Sequence, residues 1–346
     1  MKKFLVTILT AACLLMLCGC GEEKRSLTVF NYGMYIDTSV LKQFTEETGI
    51  KIKYEEASTP EEMYSKYASG AINYDLMCTS DYMLNKLRED GELMTVDFSS
   101  FEHAANIGQD YWDMCKAFDP DNNYVLPYFW GTLGILYDTT RVSEPVTSWD
   151  VLFSGEYAGE IIMQNSMRDS FYIATKYLGY SLNTKDKDEL LACQQLLIAQ
   201  KDDVQSYLVD EVRDEIVAGN AIMGVIYNGE AYIAKGYNAD LEYCIPSEGT
   251  NIWIDGWVVP KTCQDYEAAC LFLDFLCRED IAMANFEEVC YSPCNLTTIA
   301  NMPEDMQNEY AINPPMEDLA TSETNTITDE DYMSYLDQLW KEFRNE

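Results

Sequence analysis

The side chains of this 346-residue chain that could bind a small molecule are carboxylates and aromatic rings. Trp253 and Asp255 lie two residues apart in an apolar stretch, and on a β-strand that spacing places both side chains on one face of the sheet. A carboxylate makes charge-assisted hydrogen bonds to an ammonium group, and an aromatic face attracts cations at about 0.5–2 kcal/mol per contact. Such a pair has the chemistry to hold an organic cation.

The sequence contains few residues that could support catalysis or bind a metal ion. His103 is the single histidine, so a serine–histidine–aspartate triad has almost no candidates. No CxxC motif occurs, and Cys290 and Cys294 alone cannot make a four-ligand zinc site. Asp169 and Asp255 could form a carboxylate pair for glycoside hydrolysis, which keeps a secreted glycosidase as one alternative. We expect no metal, no cofactor and no catalytic activity.

The N-terminus has the pattern of an export signal. Lys2 and Lys3 precede an uncharged, mostly apolar stretch over 4–19, and a membrane-spanning helix needs about 20 apolar residues. The stretch ends in Leu17-Cys18-Gly19-Cys20, which is similar to a bacterial lipobox, whose cysteine is lipidated and becomes the new N-terminus. We predict a signal peptide over 1–19, a lipidated Cys20 and a tether over 20–26. The alternative is an ordinary cleaved signal with an incidental cysteine.

The chain is strongly acidic. It has 59 aspartates and glutamates against 23 lysines and arginines, a formal net charge of −36. Such a surface repels nucleic acid and anionic lipid and attracts cations at long range, although solubility alone would also explain it. We therefore expect no nucleic-acid partner, and the length suits two domains.

The cysteines favour a protein without a disulfide framework. Nine of them follow Cys20, and an odd number cannot all pair within one chain. Cys263, Cys270 and Cys277 recur every seven residues, which on a helix forms one buried stripe. Because cysteine is commonly a small core residue, we predict mostly free thiols, as in an exported protein from an oxygen-poor habitat.

Strand and helix patterns alternate through the first third of the chain. Strands are predicted over 27–30, 50–54 and 74–78, and the helices between and after them begin near Asp37, at Pro60 and at Ser80-Asp81. This βαβα order implies a mostly parallel, doubly wound sheet, in which ligands lie beyond the carboxyl ends of strands.

A second α/β region follows without a linker rich in glycine, proline or serine. Strands are predicted over 133–137, 161–163, 222–226 and 253–259, and helices over 168–178 and 187–199. Two regions without a linker imply that the chain crosses between them more than once.

A set of short motifs runs through nearly the whole mature chain in a fixed order. Its members are Val29-Phe30-Asn31-Tyr32, Phe44-Thr45-Glu46-Glu47-Thr48-Gly49-Ile50, Tyr74-Asp75-Leu76-Met77, Phe118-Asp119-Pro120, Pro127-Tyr128-Phe129-Trp130-Gly131, Thr147-Ser148-Trp149, Leu178-Gly179-Tyr180-Ser181, Tyr227-Asn228-Gly229 and Trp253-Ile254-Asp255. Each motif is weak alone, but the ordered set is specific. It resembles the bacterial spermidine/putrescine-binding proteins of ABC importers.

The resemblance implies a two-lobed periplasmic-binding-protein fold, each lobe a doubly wound, mostly parallel sheet flanked by helices, with the ligand in the cleft. We place lobe 1 at 27–130 plus about 255–302, and lobe 2 at about 131–254 plus 303–346. The resemblance also implies a monomer that passes a polyamine to the permease and ATPase subunits of an ABC importer. Its location would be extracytoplasmic, on the outer face of the cell membrane through Cys20, or on the periplasmic side in a double-membrane organism.

The resemblance further implies which residues contact the ligand. Asp255 would bind an ammonium group, Trp253 would stack on the ligand, and Tyr227 would stack in place of a family tryptophan. The other matching positions are Tyr32, Tyr35, Ser80, Tyr82, Asp169 and Tyr291. Core packing is the alternative for Trp253 and Tyr227, a strand-end turn for Asp255, and a helix cap for Ser80.

Two departures from the family pattern bear on the ligand. Asp169 matches one of two family acids, but Ser166 stands in place of the other. Glu230 lies three residues after Tyr227, where the putrescine-selective branch has an acid, although a solvent-facing glutamate at a helix start is an equal alternative. Asn325 is a candidate polar contact near the C-terminus. These changes favour putrescine and leave the ligand length open.

The remaining alternative is a binding protein of the same fold for another small solute: a thiamine-like cation, an aminophosphonate or an iron chelate. An anionic ligand would need a basic side chain in the cleft, for which Arg168 is the one candidate. Iron would need clustered tyrosine, histidine and aspartate ligands.

Overall fold

The structure is a computed structural model that describes residues 25–209 and 211–346. The predicted signal peptide over 1–19, Cys20 and most of the predicted tether lie outside the described residues. Arg25 pairs with Asp265 at 2.7 Å and the first strand begins at Ser26, so the end of the predicted tether belongs to the folded body. None of the helices in the described ranges has the length and apolar character needed to cross a membrane.

The first part of the chain alternates strands and helices as predicted. Its elements are β1 Ser26–Tyr32, α1 Thr38–Thr48, β2 Lys51–Ala57, α2 Pro60–Ala68, β3 Leu76–Ser80, α3 Asp81–Glu89, α4 Gln109–Cys115 and β4 Leu126–Asp138. The Asp37 carboxylate caps α1 by accepting a hydrogen bond from Ser39 N, and Gly49 ends the helix in the left-handed region at φ 74°. Thr59 caps α2 in the same way, ahead of Pro60.

The second part continues the alternation and then becomes mainly helical. Its elements are α5 Asp150–Phe153, β5 Ile161–Gln164, α6 Met167–Tyr177, α7 Lys187–Gln200, β6 Val204–Leu208, α8 Val212–Val217, β7 Met223–Tyr227, α9 Asn228–Tyr237, β8 Leu241–Cys244, β9 Ile252–Val258, α10 Tyr266–Leu276, α11 Glu279–Val289, β10 Ser292–Pro293, α12 Leu296–Asn301, α13 Glu304–Gln307 and α14 Glu330–Asn345. Short 3-10 helices cover Phe98–Ser100, Ala104–Asn106, Lys201–Asp203 and Met316–Leu319.

The strands are hydrogen-bonded in the order β2-β1-β3-β9-β4-β7-β5-β6, and β8 and β10 also pair with β4. Within this order β1 is parallel to β2 and β3, and β5 is parallel to β6 and β7. All pairings of β4 and β9 are antiparallel. The sheet is therefore mixed, where the sequence predicts a mostly parallel one, because β4 and β9 run between the two parallel groups.

β4 links the two lobes of this α/β fold. Its residues Leu126–Thr132 pair with β9, and Leu133–Asp138 pair with β7 and β8. The sequence predicts only 133–137 of this strand, because Pro127 and Gly131 interrupt the apolar run. The pairing partners change within two residues of the predicted crossing at 130–131, while the lobe ranges themselves stay a prediction.

Two buried clusters of apolar side chains stabilise the fold. The larger one contains Phe30, Phe44 and Trp257, and the second contains Trp149 and Phe343. All nine cysteines in the described ranges are free thiols, six of them buried. The six buried thiols therefore serve as small apolar core residues. The predicted buried stripe is wrong: Cys263 precedes α10, Cys263 and Cys270 are only half-buried, and Cys277 alone of the three is buried.

Candidate functional site

A cavity of about 430 Å³ lies where the strands of both parallel groups end. Tyr32 is the last residue of β1, Ser80 the last of β3, and Tyr227 the last of β7. Ligand sites of open α/β sheets lie at this edge, beyond the carboxyl ends of strands. The cavity size is in the usual range for small-molecule sites, about 300–1,000 Å³.

Nine of the ten predicted ligand residues line this cavity. They are Tyr32, Tyr35, Ser80, Tyr82, Asp169, Tyr227, Trp253, Asp255 and Tyr291. Ser166, Arg168 and Asn325, which the sequence also singles out, line it as well. Residues more than 200 positions apart thus come together around one space.

Asp255 lies at one side of the cavity, on β9 directly opposite Ser80 of β3. Its side chain is buried, with 6% of the residue exposed. Burial raises the pKa of Asp255 to about 6, while the hydroxyls of Tyr35 and Ser80 act in the opposite direction. A carboxylate held this way has lost most of its water and retains a strong preference for a cationic partner.

Trp253 shares the face of Asp255, as the strand spacing predicts, because both line the cavity. Its ring meets the Tyr291 ring edge-on, with centroids 4.9 Å apart and planes at 89°. Trp253 Nε1 is buried and has no hydrogen-bond partner within the described part of the chain. Trp253 therefore presents both an apolar ring and an unused donor to the site.

Tyr32 and Tyr35 extend the aromatic wall beside Asp255. Tyr32 Oη shares hydrogen bonds with Thr79 Oγ1 at 2.9 Å and Ser80 Oγ at 3.1 Å, and the two tyrosine rings meet edge-on at 5.6 Å. Ser80 occupies the N-cap position of α3 but makes no side-chain cap bond, so its hydroxyl is directed to the tyrosine instead. Burial, and then the nearby Asp255 charge, raise the pKa of both tyrosines well above the usual value.

Asp169 lies in the first turn of α6, the helix that follows β5 of the second parallel group. Tyr227 Oη donates a 2.7 Å hydrogen bond to Asp169 Oδ2, and Ser166 caps the helix by accepting from Asp169 N. Burial raises the pKa of Asp169, and the hydroxyls of Ser166 and Tyr227 act against that rise. The serine that replaces a family acid thus holds the remaining acid in place.

Arg168 crosses from α6 to the side chains of α2 and α3. Its guanidinium lies 3.6 Å from the centroid of the Tyr82 ring, and its Nη2 is 3.9 Å from Glu61 Oε1. Tyr82 Oη in turn donates to Glu61 Oε1 at 3.0 Å. Arg168 Nη1 is buried and has no partner among the residues described. The guanidinium of Arg168 therefore already covers one face of the Tyr82 ring in this cavity.

Glu230 is the predicted ligand residue that does not line the cavity. It lies in the first turn of α9, where its Oε2 pairs with Arg213 Nη1 of α8 at 2.9 Å. Tyr227 ends β7 and α9 starts at the next residue, so Glu230 belongs to the helix, where the pair with Arg213 holds its side chain outside the cavity lining. The prediction that Glu230 replaces the missing acid of Ser166 does not fit this geometry.

Five cavity residues are absent from the predicted set: Ser58, Pro60, Asp81, Tyr172 and Asn251. Two of them, Asp81 and Asn251, carry a buried polar atom without a partner among the residues described. Asp81 is 3% exposed; its Oδ1 accepts a 2.6 Å hydrogen bond from Tyr82 N, and its Oδ2 has no partner in the described ranges. Burial raises the pKa of Asp81 to about 8. Asn251 Oδ1 is likewise buried and unpartnered. The two-residue spacing of Asn251, Trp253 and Asp255 could have identified the asparagine, whereas Asp81 has the appearance of an ordinary first-turn acid.

No group of histidine, cysteine, aspartate or glutamate side chains in residues 25–209 and 211–346 is arranged to hold a metal ion. The chemistry of the cavity is therefore that of three buried aspartates, one arginine and a wall of tyrosine and tryptophan rings. This set suits a ligand with positive groups joined by an apolar chain.

Comparison with known proteins gives a consistent result. Residues 39–314 match the family model described as bacterial extracellular solute-binding protein. The spermidine/putrescine-binding periplasmic protein of Escherichia coli strain K12 is 31% identical over 329 residues, covering 93% of each chain. The putrescine-binding periplasmic protein SpuD of Pseudomonas aeruginosa is 28% identical over 337 residues, covering 92% of each.

The solved structures include a substrate-binding protein of similar architecture. The spermidine/putrescine ABC transporter substrate-binding protein PotD from Streptococcus pneumoniae, in complex with calcium and HEPES, superposes with a TM-score of 0.84 at 34% sequence identity. The match covers 93% of this chain and 99% of that chain. The similarity thus extends over nearly the whole chain.

Proposed function

The chain belongs to the family of bacterial extracellular solute-binding proteins, and we propose that it captures a polyamine, putrescine or spermidine, and delivers it to an ABC importer. The observation that carries the proposal is one cavity in which Asp255 and Asp169, buried on different lobes, stand among tyrosine and tryptophan rings. The names of the similar proteins support the same ligand class.

The chemistry of a polyamine matches this arrangement. One ammonium group binds Asp255 and another binds Asp169, each through charge-assisted hydrogen bonds. The methylene groups between them lie against Trp253 and Tyr227, whose rings also attract the cationic ends. Because burial raises the pKa of both aspartates, each carboxylate gains more from an ammonium partner than an exposed one would.

We also propose that the protein acts outside the cytoplasm and is anchored to the membrane as the N-terminal pattern predicts. Cys20 carries the lipid anchor, and the monomeric protein passes its ligand to the permease and ATPase subunits. Labelling of cells with a fatty-acid analogue should mark the wild-type protein and leave the Cys20→Ser variant unmarked. Equal labelling of both would exclude Cys20 as the lipidated residue.

One observation favours a second candidate ligand class. Arg168 Nη1 is buried in the cavity without a partner in the described ranges. A solute with both an ammonium and an anionic group, such as an aminophosphonate, would pair with Arg168 as well as with an aspartate.

A ligand screen distinguishes these classes. The Cys20→Ser protein, purified without its lipid, is melted in the presence of putrescine, spermidine, an aminophosphonate, thiamine, amino acids and sugars. A ligand at 100 times its Kd stabilises a protein by about 2.7 kcal/mol, so binding should appear as a clear rise in melting temperature. We expect that rise with polyamines. A rise with the aminophosphonate alone would establish the second candidate, and a rise with another solute alone would refute both.

A further inference from the structure

We propose that Asp81 is a third anionic contact for the ligand and that it adjusts the charge of the cavity to a dication, so that the protein selects a diamine over a triamine. The inference rests on the proposed function, because it names the class of polyamine that the same cavity takes. It concerns a residue outside the ligand set that the family resemblance implies.

The first support is the environment of the Asp81 side chain. Asp81 is the first residue of α3 and lies between Ser80 and Tyr82, and all three line the cavity. Only 3% of Asp81 is exposed, and the Tyr82 amide satisfies one of its oxygens. Its Oδ2 is buried and has no partner in the described part of the chain. A buried carboxylate oxygen without a partner costs free energy, and an ammonium group in the cavity would supply that partner.

The second support is the charge of the cavity lining. Its charged side chains are Asp81, Asp169, Asp255 and Arg168. Glu61, 3.9 Å from Arg168, lies outside the lining with 62% of its side chain exposed, so solvent screens its charge. With all four lining side chains ionised the lining carries two net negative charges, and without Asp81 it carries one. A diamine has two positive charges near neutral pH and balances the lining, whereas a triamine leaves one positive charge in excess. Because an uncompensated buried charge is costly, the mismatch discriminates against the longer ligand.

The charged and titratable groups around Asp81 define how it responds to the ligand. The pKa of Asp81 is raised to about 8: burial is the largest cause and the charge of Asp255 on β9 adds to it, whereas the backbone amides of Tyr82 and Ile254 and the charge of Arg168 on α6 act in the opposite direction. Tyr172 of α6 and Cys115 of α4 also lie within electrostatic reach. With a pKa of about 8, most of the Asp81 side chains carry a proton at pH 7 in the empty protein. An incoming ammonium favours the ionised form, so this proton passes to the solvent when the ligand binds.

Calorimetry tests the inference directly. Putrescine and spermidine are titrated at pH 7 into the Cys20→Ser protein in two buffers of different ionisation enthalpy, which gives the number of protons released. The same titrations are made with Asp81→Asn and with a control, Asp90→Asn. Asp90 is the C-cap residue directly after the same helix, pairs with Lys86 at 3.0 Å and lies outside the cavity lining.

We expect wild type and Asp90→Asn to release close to one proton per putrescine. Asp81→Asn should release little and should bind putrescine at least about tenfold more weakly, which corresponds to about 1.4 kcal/mol. Polyamine binding by wild type with unchanged proton release and unchanged affinity in Asp81→Asn overturns the inference and leaves the proposed function standing. If wild type binds no polyamine, the proposed function fails and this inference fails with it.

A second variant keeps the charge argument testable if Asp81→Asn does not fold, which its melting curve would show. Arg168→Gln removes the opposing cation and leaves three net negative charges in the lining. Its affinity ratio of putrescine to spermidine should shift toward spermidine by about tenfold or more. A ratio equal to that of wild type would contradict selection by charge balance.

Discussion

Replacing Asp255 by asparagine should have opposite effects on ligand binding and on the stability of the empty protein. The substitution keeps the shape of the side chain and removes its charge. Asp255 is 94% buried, and breaking a buried ion pair by removing one partner costs about 3–5 kcal/mol. Because about 1.4 kcal/mol corresponds to a factor of ten, the Kd for a polyamine should rise by a factor of hundreds to thousands.

The effect on stability follows from the pKa of Asp255. Burial raises this pKa from 3.8 to about 6, which corresponds to about 3 kcal/mol. The folded protein therefore binds the proton more tightly than the unfolded chain does. The resulting destabilisation develops as the pH rises from about 4 to 6 and is fully present at pH 7. Asp255→Asn removes the charge, so the empty variant should be more stable than wild type at pH 7 by up to about 3 kcal/mol, and this difference should disappear near pH 4.

Two measurements check this pair of effects. Isothermal titration calorimetry gives the affinity, and urea unfolding of the ligand-free protein gives the free energy of unfolding at pH 4 and pH 7. Asp90→Asn is the control, since Asp90 lies outside the cavity lining. A variant with near wild-type affinity would remove Asp255 from the binding site. A variant of lower stability at pH 7 would show that Asp255 serves the fold rather than the ligand.

Three further results are expected. Polyamine affinity should fall as the pH is lowered through about 6, because protonation of Asp255 removes an anionic partner, and constant affinity between pH 7 and pH 5 in calorimetry would contradict this. Tyr227→Phe removes the 2.7 Å hydrogen bond to the buried Asp169 and should reduce the free energy of unfolding by about 1–3 kcal/mol, measured in urea. Saturating putrescine should reduce the radius of gyration in solution scattering, because our lobe assignment places Asp255 and Asp169 on different lobes; identical scattering curves would argue against closure.

Local patterns in the sequence were sufficient to predict most of the helices and strands and part of the ligand site. Asp37 and Gly49 mark the two ends of α1, because capping and a left-handed C-terminus are properties of a few neighbouring residues. Trp253 and Asp255 share a face because the two-residue period of a strand requires it. The first-lobe strands were found for the same reason, since β1 to β3 each have an apolar pattern bounded by turn residues.

Features set by long-range packing could not be predicted in this way. The antiparallel course of β4 and β9 depends on which strands they meet, and nothing within either strand specifies that partner. Glu230 is turned toward Arg213 by the start of α9 and by the position of α8, a relation between two helices. Asp81 resembles many exposed acids in the first turn of a helix, and only the tertiary fold buries it.

The unsatisfied polar groups of the fold indicate a ligand site independently of any relative. In the described residues, fourteen buried side-chain nitrogen and oxygen atoms have no hydrogen-bond partner. Four of these atoms belong to residues that line the ligand cavity: Asp81, Arg168, Asn251 and Trp253. A fifth, the Tyr35 hydroxyl, also lies at this cavity, close enough to Asp255 to lower the pKa of that carboxyl. Each such atom lowers the stability of the empty protein, and a fold selected for stability alone would replace them with apolar groups. Their concentration around a cavity of about 430 Å³ is explained if a polar, charged ligand completes the missing bonds. The same groups then discriminate between ligands, because a solute that leaves any of them unpaired binds with a penalty.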